Sequence, residues 1–109
     1  MMNNEILGQE FTRLYEILLK LRRECPWDRT QTTESLRQYI LEEVYEVIDT
    51  IDRADWSELP KELGDLLLQI VFQSAIAEEH GYFKLQDVLK LINQKMIINP
   101  NNGKPLNWK

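Results

Sequence analysis

The sequence predicts an all-α fold: a four-helix chain whose second and third helices form an oligomeric helix-bundle core. Three observations predict it. Gly and Pro number only four each among 109 residues while aliphatic residues abound, a balance that favours long helices over a turn-rich β fold. Apolar residues recur at spacings of three and four, the period of a helix with one buried stripe. Pro26, Pro60 and Gly81 stand at the borders of these stretches, where helix-breaking residues are tolerated.

The first helix is expected from about Asn4 to Glu24, with Phe11, Leu14, Leu18 and Leu21 on one stripe. Pro26 stops it, because proline lacks the amide hydrogen and restricts the residue before it. A loop is expected from Cys25 to Gln31. Thr32 or Thr33 then caps the second helix, which runs to about Arg53. Ala54 to Leu59 reads as a turn. Pro60 sits in the first turn of the third helix, which continues to about Glu79 and stops at Gly81. The fourth helix spans about Leu85 to Ile98, although Lys84 is a poor capping residue. Residues 1–98 thus form one domain, and residues 99–109, with two prolines and a glycine, form a short flexible C-terminal tail.

Charge and composition narrow the function classes. A net charge of −5 argues against a broad basic surface for nucleic acid. An acidic protein can still hold an anionic ligand when metal ions bridge the like charges. No run of about 18 apolar residues is present, so no membrane span is expected. The N-terminus has neither a basic region nor an apolar core, so no secretory signal is expected. Cys25 is the single cysteine and has no partner for an internal disulfide. Together these features fit a cytoplasmic protein.

The placement of the acids is the strongest functional signal. At about 100° per residue, Glu43 of the second helix falls at the edge of the arc that holds Leu36, Ile40, Val44, Val47 and Ile51. Glu42, Glu46 and Asp49 fall on the polar side. On the third helix Glu62, Asp65, Gln69 and Gln73 occupy one narrow stripe, and nearly everything else is apolar. A helix apolar nearly all round is normally buried. A chain of this size can hardly cover it alone, so a homodimer or homotetramer packed through the second and third helices is expected. No Lys or Arg is expected in the stripe of Glu62 and Asp65, so a cation is the simplest compensation for their burial. Oxygen-only ligands suit Mg²⁺, with Mn²⁺ an alternative, rather than Zn²⁺. A di-iron carboxylate bundle would need Glu-x-x-His pairs, and the one histidine, His80, directly follows Glu79. It reads as a capping or surface residue.

These residues carry a resemblance. Leu41-Glu42-Glu43-Val44-Tyr45-Glu46 and Glu62-Leu63-Gly64-Asp65-Leu66-Leu67 resemble the paired E-E-x-x-E and E-x-x-D motifs of the MazG family of nucleoside triphosphate pyrophosphohydrolases. Upstream, Leu21 to Asp28 followed by Gln31-Thr32 resembles that family's L-R-x-x-C-P-W-D…Q-T segment, and Ser35-Leu36 and Asp87-Val88 also fit. The likeness extends from about Leu18 to Lys95. It implies an all-α oligomer that hydrolyses an NTP or dNTP to the monophosphate and pyrophosphate with Mg²⁺. It implies Glu43, Glu46, Glu62 and Asp65 as metal ligands, Glu42 as a supporting carboxylate or a ligand to a further ion, and Gly64 as a point of close helix approach. Two departures stand out. Lys61 replaces a second acid that is common before E-L-G-D, and Met96 to Asn101 replace a basic segment that usually follows Lys95.

Cleavage at the α-phosphorus needs a neutralised triphosphate, a placed water and a leaving pyrophosphate, all of which metal ions can serve. The expected catalytic residues are Glu42, Glu43 and Glu46, with Glu42 or Glu43 taking the water's proton. Trp27 is a candidate for stacking on a base, against the alternative that it anchors its loop. Lys95 and Arg22 are candidates for phosphate contact, and Arg23 and Lys61 are weaker ones. The missing basic segment keeps a second reading open: a catalytically weakened member acting as a nucleotide-binding sensor or assembly partner.

Overall fold

Among the described residues, five helices follow one another: α1 (Met2–Glu24), α2 (Pro26–Thr30), α3 (Arg37–Asp52), α4 (Leu59–Glu79) and α5 (Leu85–Lys95). The computed structural model describes residues 2–97; the expected tail, 99–109, and the expected helix end at Ile98 lie outside them. The expected first to fourth helices correspond to α1, α3, α4 and α5. Short α2 replaces an expected loop. Proline both ends α1 and opens α2, since its fixed φ and missing amide hydrogen suit a first helical position. Thr30 Oγ1 donates to the Trp27 carbonyl at 2.8 Å and closes that single turn.

The start of α3 also differs from expectation. Thr32 does cap, but it caps a separate turn over residues 33–36. The Ser35 amide donates to Thr32 Oγ1 at 3.0 Å and the Thr32 amide donates to Ser35 Oγ at 2.8 Å, the reciprocal pattern of a capping box. That turn drives Leu36 into the core, where it is fully buried. At α5 the missing cap on Lys84 is offset from the other side, because the Asp87 carboxylate accepts the Lys84 amide at 2.9 Å. This helix ends at Lys95, before the expected Ile98.

Helices α3 and α4 are each followed, one residue past the C-cap, by a left-handed residue. The Tyr82 amide donates back to the Ala77 carbonyl at 2.9 Å around Gly81, whose φ is +72°. The Asp55 amide donates to the Thr50 carbonyl at 3.1 Å around Ala54, whose φ is +54°. This backward bond satisfies carbonyls at a helix end and requires positive φ at the turning residue. Glycine meets that requirement freely, whereas alanine is strained by its Cβ.

Helix α4 is the hub, since it packs against α1, α3 and α5. The core joins Leu18 of α1 and Leu36 to Val71, Phe72 and Ile76 of α4 and Leu85 of α5. The C-terminal half of α4 is closed over, with Ser74, Ala75, Ile76 and Ala77 all buried. Its N-terminal half leaves Leu63 and Ile70 nearly half exposed. The all-round burial expected of this helix is thus met within one chain only in its second half. Among the described residues no helix is long and apolar enough to cross a membrane.

Ala54→Gly tests the strained helix end. The left-handed conformation costs an L residue roughly 1–2 kcal/mol, and glycine's extra unfolded-state freedom offsets about 0.5–1 of that. The variant is expected to gain up to about 1 kcal/mol in urea unfolding.

Candidate metal centre

Helices α3 and α4 form a hairpin closed by the six residues 53–58. Gln73 Nε2, late in α4, donates to the Thr33 carbonyl ahead of α3 at 2.9 Å, which sets the antiparallel register. In that register Glu43 of α3 meets the first turns of α4. One carboxylate oxygen from each of Glu43, Glu62 and Asp65 lies within 4.8 Å of the other two. Glu62 is buried at 8% exposure, and Glu43 and Asp65 are half-buried. Glu62 and Asp65 are three apart on one face of α4, so their side chains lie one above the other.

The crowding has an electrostatic consequence. The Glu43 carboxyl is pushed above its ordinary value of 4.5, first by burial and then by the charges of Asp65, Glu62 and Glu46. Lys61 works the other way on it. Its Nζ stands 3.8 Å from Glu62 Oε2 and 3.5 Å from Asp65 Oδ2. The expectation that no basic group reaches this stripe is therefore corrected. Lys61 precedes Asp65 by one turn, and its long stem swings the ammonium across. The Lys61 side chain is 65% exposed, so such pairing contributes little to stability.

Other candidates are placed differently. Glu46 is exposed and outside the group of three, although its charge is felt by Glu43. Glu42 is exposed and also outside it. Asp49 accepts a bond from Arg53 at 2.9 Å, an ordinary surface ion pair. Gly64 is exposed, and a Cβ there would meet nothing within 4 Å, so the close approach that the resemblance implied is not made within this chain. Lys95 is exposed in the last turn of α5 and makes no ion pair among the described residues. Trp27 is 50% exposed; one side of it meets Tyr39 at 6.0 Å and Phe72 at 6.5 Å, both edge-on. Anchoring and an accessible ring therefore coexist.

Arg22 stands apart from the carboxylates. Its Nε and Nη2 donate to the two oxygens of Glu79 at 2.7 Å each, and its Nη1 donates to the carbonyls of Asp28 and, at 3.1 Å, Gln31. This guanidinium holds the Glu79 carboxyl below the usual glutamate value. It ties α1, the Trp27 segment and the end of α4 together. Sequence reasoning also missed Gln69, which is buried with no hydrogen-bond partner for its Oε1 among the described residues. The only signal for it was its place in the acid stripe.

Three carboxylates with no His or Cys, faced by a single exposed ammonium, fit a hard divalent cation such as Mg²⁺. An all-α chain presenting such a cluster across a helical hairpin is, as a class, a candidate metal-dependent hydrolase. The comparisons give the family. Residues 31–102 match the family model described as the MazG nucleotide pyrophosphohydrolase domain, and the chain belongs to that family. It is 47% identical over 92 residues to the nucleoside triphosphate pyrophosphohydrolase/pyrophosphatase MazG of Thermotoga maritima, covering 83% of this chain and 36% of that protein. It is 43% identical over 90 residues to the nucleoside triphosphate pyrophosphohydrolase of Escherichia coli K12, covering 80% and 34%. A further match, at 43% over 95 residues, is the uncharacterized protein YabN of Bacillus subtilis, covering 85% and 19%. The chain thus spans between about a fifth and just over a third of the length of these relatives. A crystal structure of a MazG-related protein from Thermotoga maritima superposes with a TM-score of 0.69 at 25% identity, covering 84% of this chain and 90% of that one.

The raised Glu43 value makes a pH prediction. A carboxyl whose folded value lies above its unfolded one contributes its full stability below the ordinary 4.5 and loses it as pH rises through the folded value. In chelator, Glu43→Gln is expected to melt above the parent at pH 7, with the difference shrinking as pH falls toward that ordinary value. A difference independent of pH in paired thermal melts would sink this account.

Proposed function

We propose that this chain carries the catalytic core of an Mg²⁺-dependent nucleoside triphosphate pyrophosphohydrolase, cleaving an NTP or dNTP to the monophosphate and pyrophosphate. The observation that carries this reading is the convergence of Glu43, Glu62 and Asp65 from two helices within 4.8 Å. The names of the Thermotoga and E. coli relatives point to the same chemistry. Glu43, Glu62 and Asp65 hold the cation, and Glu46, one turn along α3, joins them as a ligand. When bound, Mg²⁺ neutralises phosphate charge and lowers the pKa of its water.

The attacking water forms a new oxygen–phosphorus bond at the α-phosphorus as the bridging bond to the β-phosphate breaks. Its proton passes to Glu43 or Glu42, the neighbouring carboxylates of α3. The exposed part of Trp27 stacks on the base. Arg22 serves this contact indirectly by fixing the Trp27 segment, and Lys95 reaches phosphate. The chain works in the cytoplasm. A second reading, a nucleotide sensor, is favoured by one sequence feature: Lys95 is followed by Met96-Ile97-Ile98 and not by basic residues.

The site reading extends to assembly. Leu41, Tyr45 and Ile48 of α3 are 56%, 65% and 47% exposed, and Leu63 and Ile70 of α4 are 48% and 45% exposed. A second copy of the chain covers this apolar face in a homodimer, or two such pairs form a tetramer.

Incubation with each NTP and dNTP plus Mg²⁺ is expected to release pyrophosphate. Glu62→Gln or Asp65→Asn should lower kcat/KM by roughly a hundredfold or more, as several kcal/mol of charge stabilisation is lost. Nucleotide binding without pyrophosphate release would favour the sensor. In sedimentation, the parent should run as a dimer or tetramer and Tyr45→Glu should shift it toward monomer.

A further inference from the structure

Lys61 occupies a position with an unusual conflict. Its ammonium sits 3.8 Å from Glu62 and 3.5 Å from Asp65, the two acids of the α4 stripe. Those carboxylates are also the groups on which the proposed cation depends. An ammonium and a divalent cation sharing the same carboxylates repel each other. In the metal-free protein Lys61 therefore lowers the repulsion within the cluster, and the same contact opposes entry of a bare cation.

What relieves the conflict is a polyanion that reaches both positive charges. The Lys61 side chain is 65% exposed at the rim of the cluster and carries a flexible four-carbon stem with three rotatable donors. It can leave the carboxylates without disturbing the core, since it lies in the first turn of α4 next to Pro60. A phosphate chain bound to the cation would meet the ammonium at that rim, and repulsion between two cations becomes attraction of both to one anion. Charge-assisted bonds to phosphate are among the stronger polar contacts available there.

We propose that Lys61 is a phosphate-binding residue that makes the site selective for the metal–triphosphate complex over the free metal ion. It disfavours Mg²⁺ alone and favours Mg²⁺ with a triphosphate. This rests on the proposed metal and nucleotide site and adds to it a residue with two effects of opposite sign.

The opposite signs make the proposal testable apart from turnover. Lys61→Met keeps the stem and removes the charge; Lys61→Arg keeps a charge. Calorimetric titrations at fixed ionic strength would compare magnesium chloride alone with a non-hydrolysable α,β-imido nucleoside triphosphate in saturating Mg²⁺. In Lys61→Met, Mg²⁺ alone should bind about two- to fivefold more tightly, the scale of an exposed ion pair. The analogue should bind more weakly by a similar factor or more, and Lys61→Arg should restore the parental order. If the parent binds both probes and Lys61→Met changes neither, or moves both in the same direction, the Lys61 proposal is overturned while the site stands. If the parent binds neither probe, the proposed function falls and takes this inference with it.

Discussion

Glu62, Asp65 and Glu43 bring three carboxylates within 4.8 Å of one another beside the helix that packs against three others. Like charges at that spacing, partly removed from water, repel strongly. Neighbours on α1 and α5 close the C-terminal half of α4 with apolar side chains, which leaves its acid stripe to face α3. The repulsion is concentrated in the hairpin and is eased by protonation of Glu43, by the nearby Lys61 or by a bound cation. A site that is costly without its ligand is a site whose ligand stabilises the fold.

The remaining elements keep that hairpin in register. The Thr32–Ser35 turn buries Leu36 at the entrance to α3, and Gln73 grips the backbone of that same turn at Thr33. At the other end of the hairpin, the backward bond from Asp55 to Thr50 closes α3 around Ala54. The Arg22 fork with Glu79 and two carbonyls fixes the segment that presents Trp27, so the aromatic edge stands on α4 at Phe72, about one turn beyond Gln69 and two beyond Asp65. Acid cluster, buried amide and the Phe72 contact of Trp27 thus follow one another along α4.

Membership of the MazG nucleotide pyrophosphohydrolase domain family sets the frame in which the departures of this chain acquire meaning. Lys61 stands where the resemblance implies an acid, and the structure turns it onto Glu62 and Asp65. Its ammonium sets one positive charge beside the two acids. The apolar face of α3 and the start of α4, left open by the single chain, lies on the same hairpin as the acids.

Much of this was legible from residues alone. Helical periodicity, with Pro26, Pro60 and Gly81 as punctuation, fixed four helices and most of their ends, because local backbone chemistry decides them. Angular position singled out Glu43 at the edge of the core and Glu62 with Asp65 as one stripe, because side chains three apart must share a face. Tertiary structure decided the rest. Whether Glu43 meets that stripe depends on the register of the α3–α4 hairpin, which no spacing within one helix encodes. Arg22, a candidate phosphate contact by sequence, pairs with Glu79, 57 positions away, a partner no local spacing points to. Lys61 lies between the two cases: its i,i+4 spacing to Asp65 is in the sequence, but only the structure shows its flexible side chain turned onto both Glu62 and Asp65.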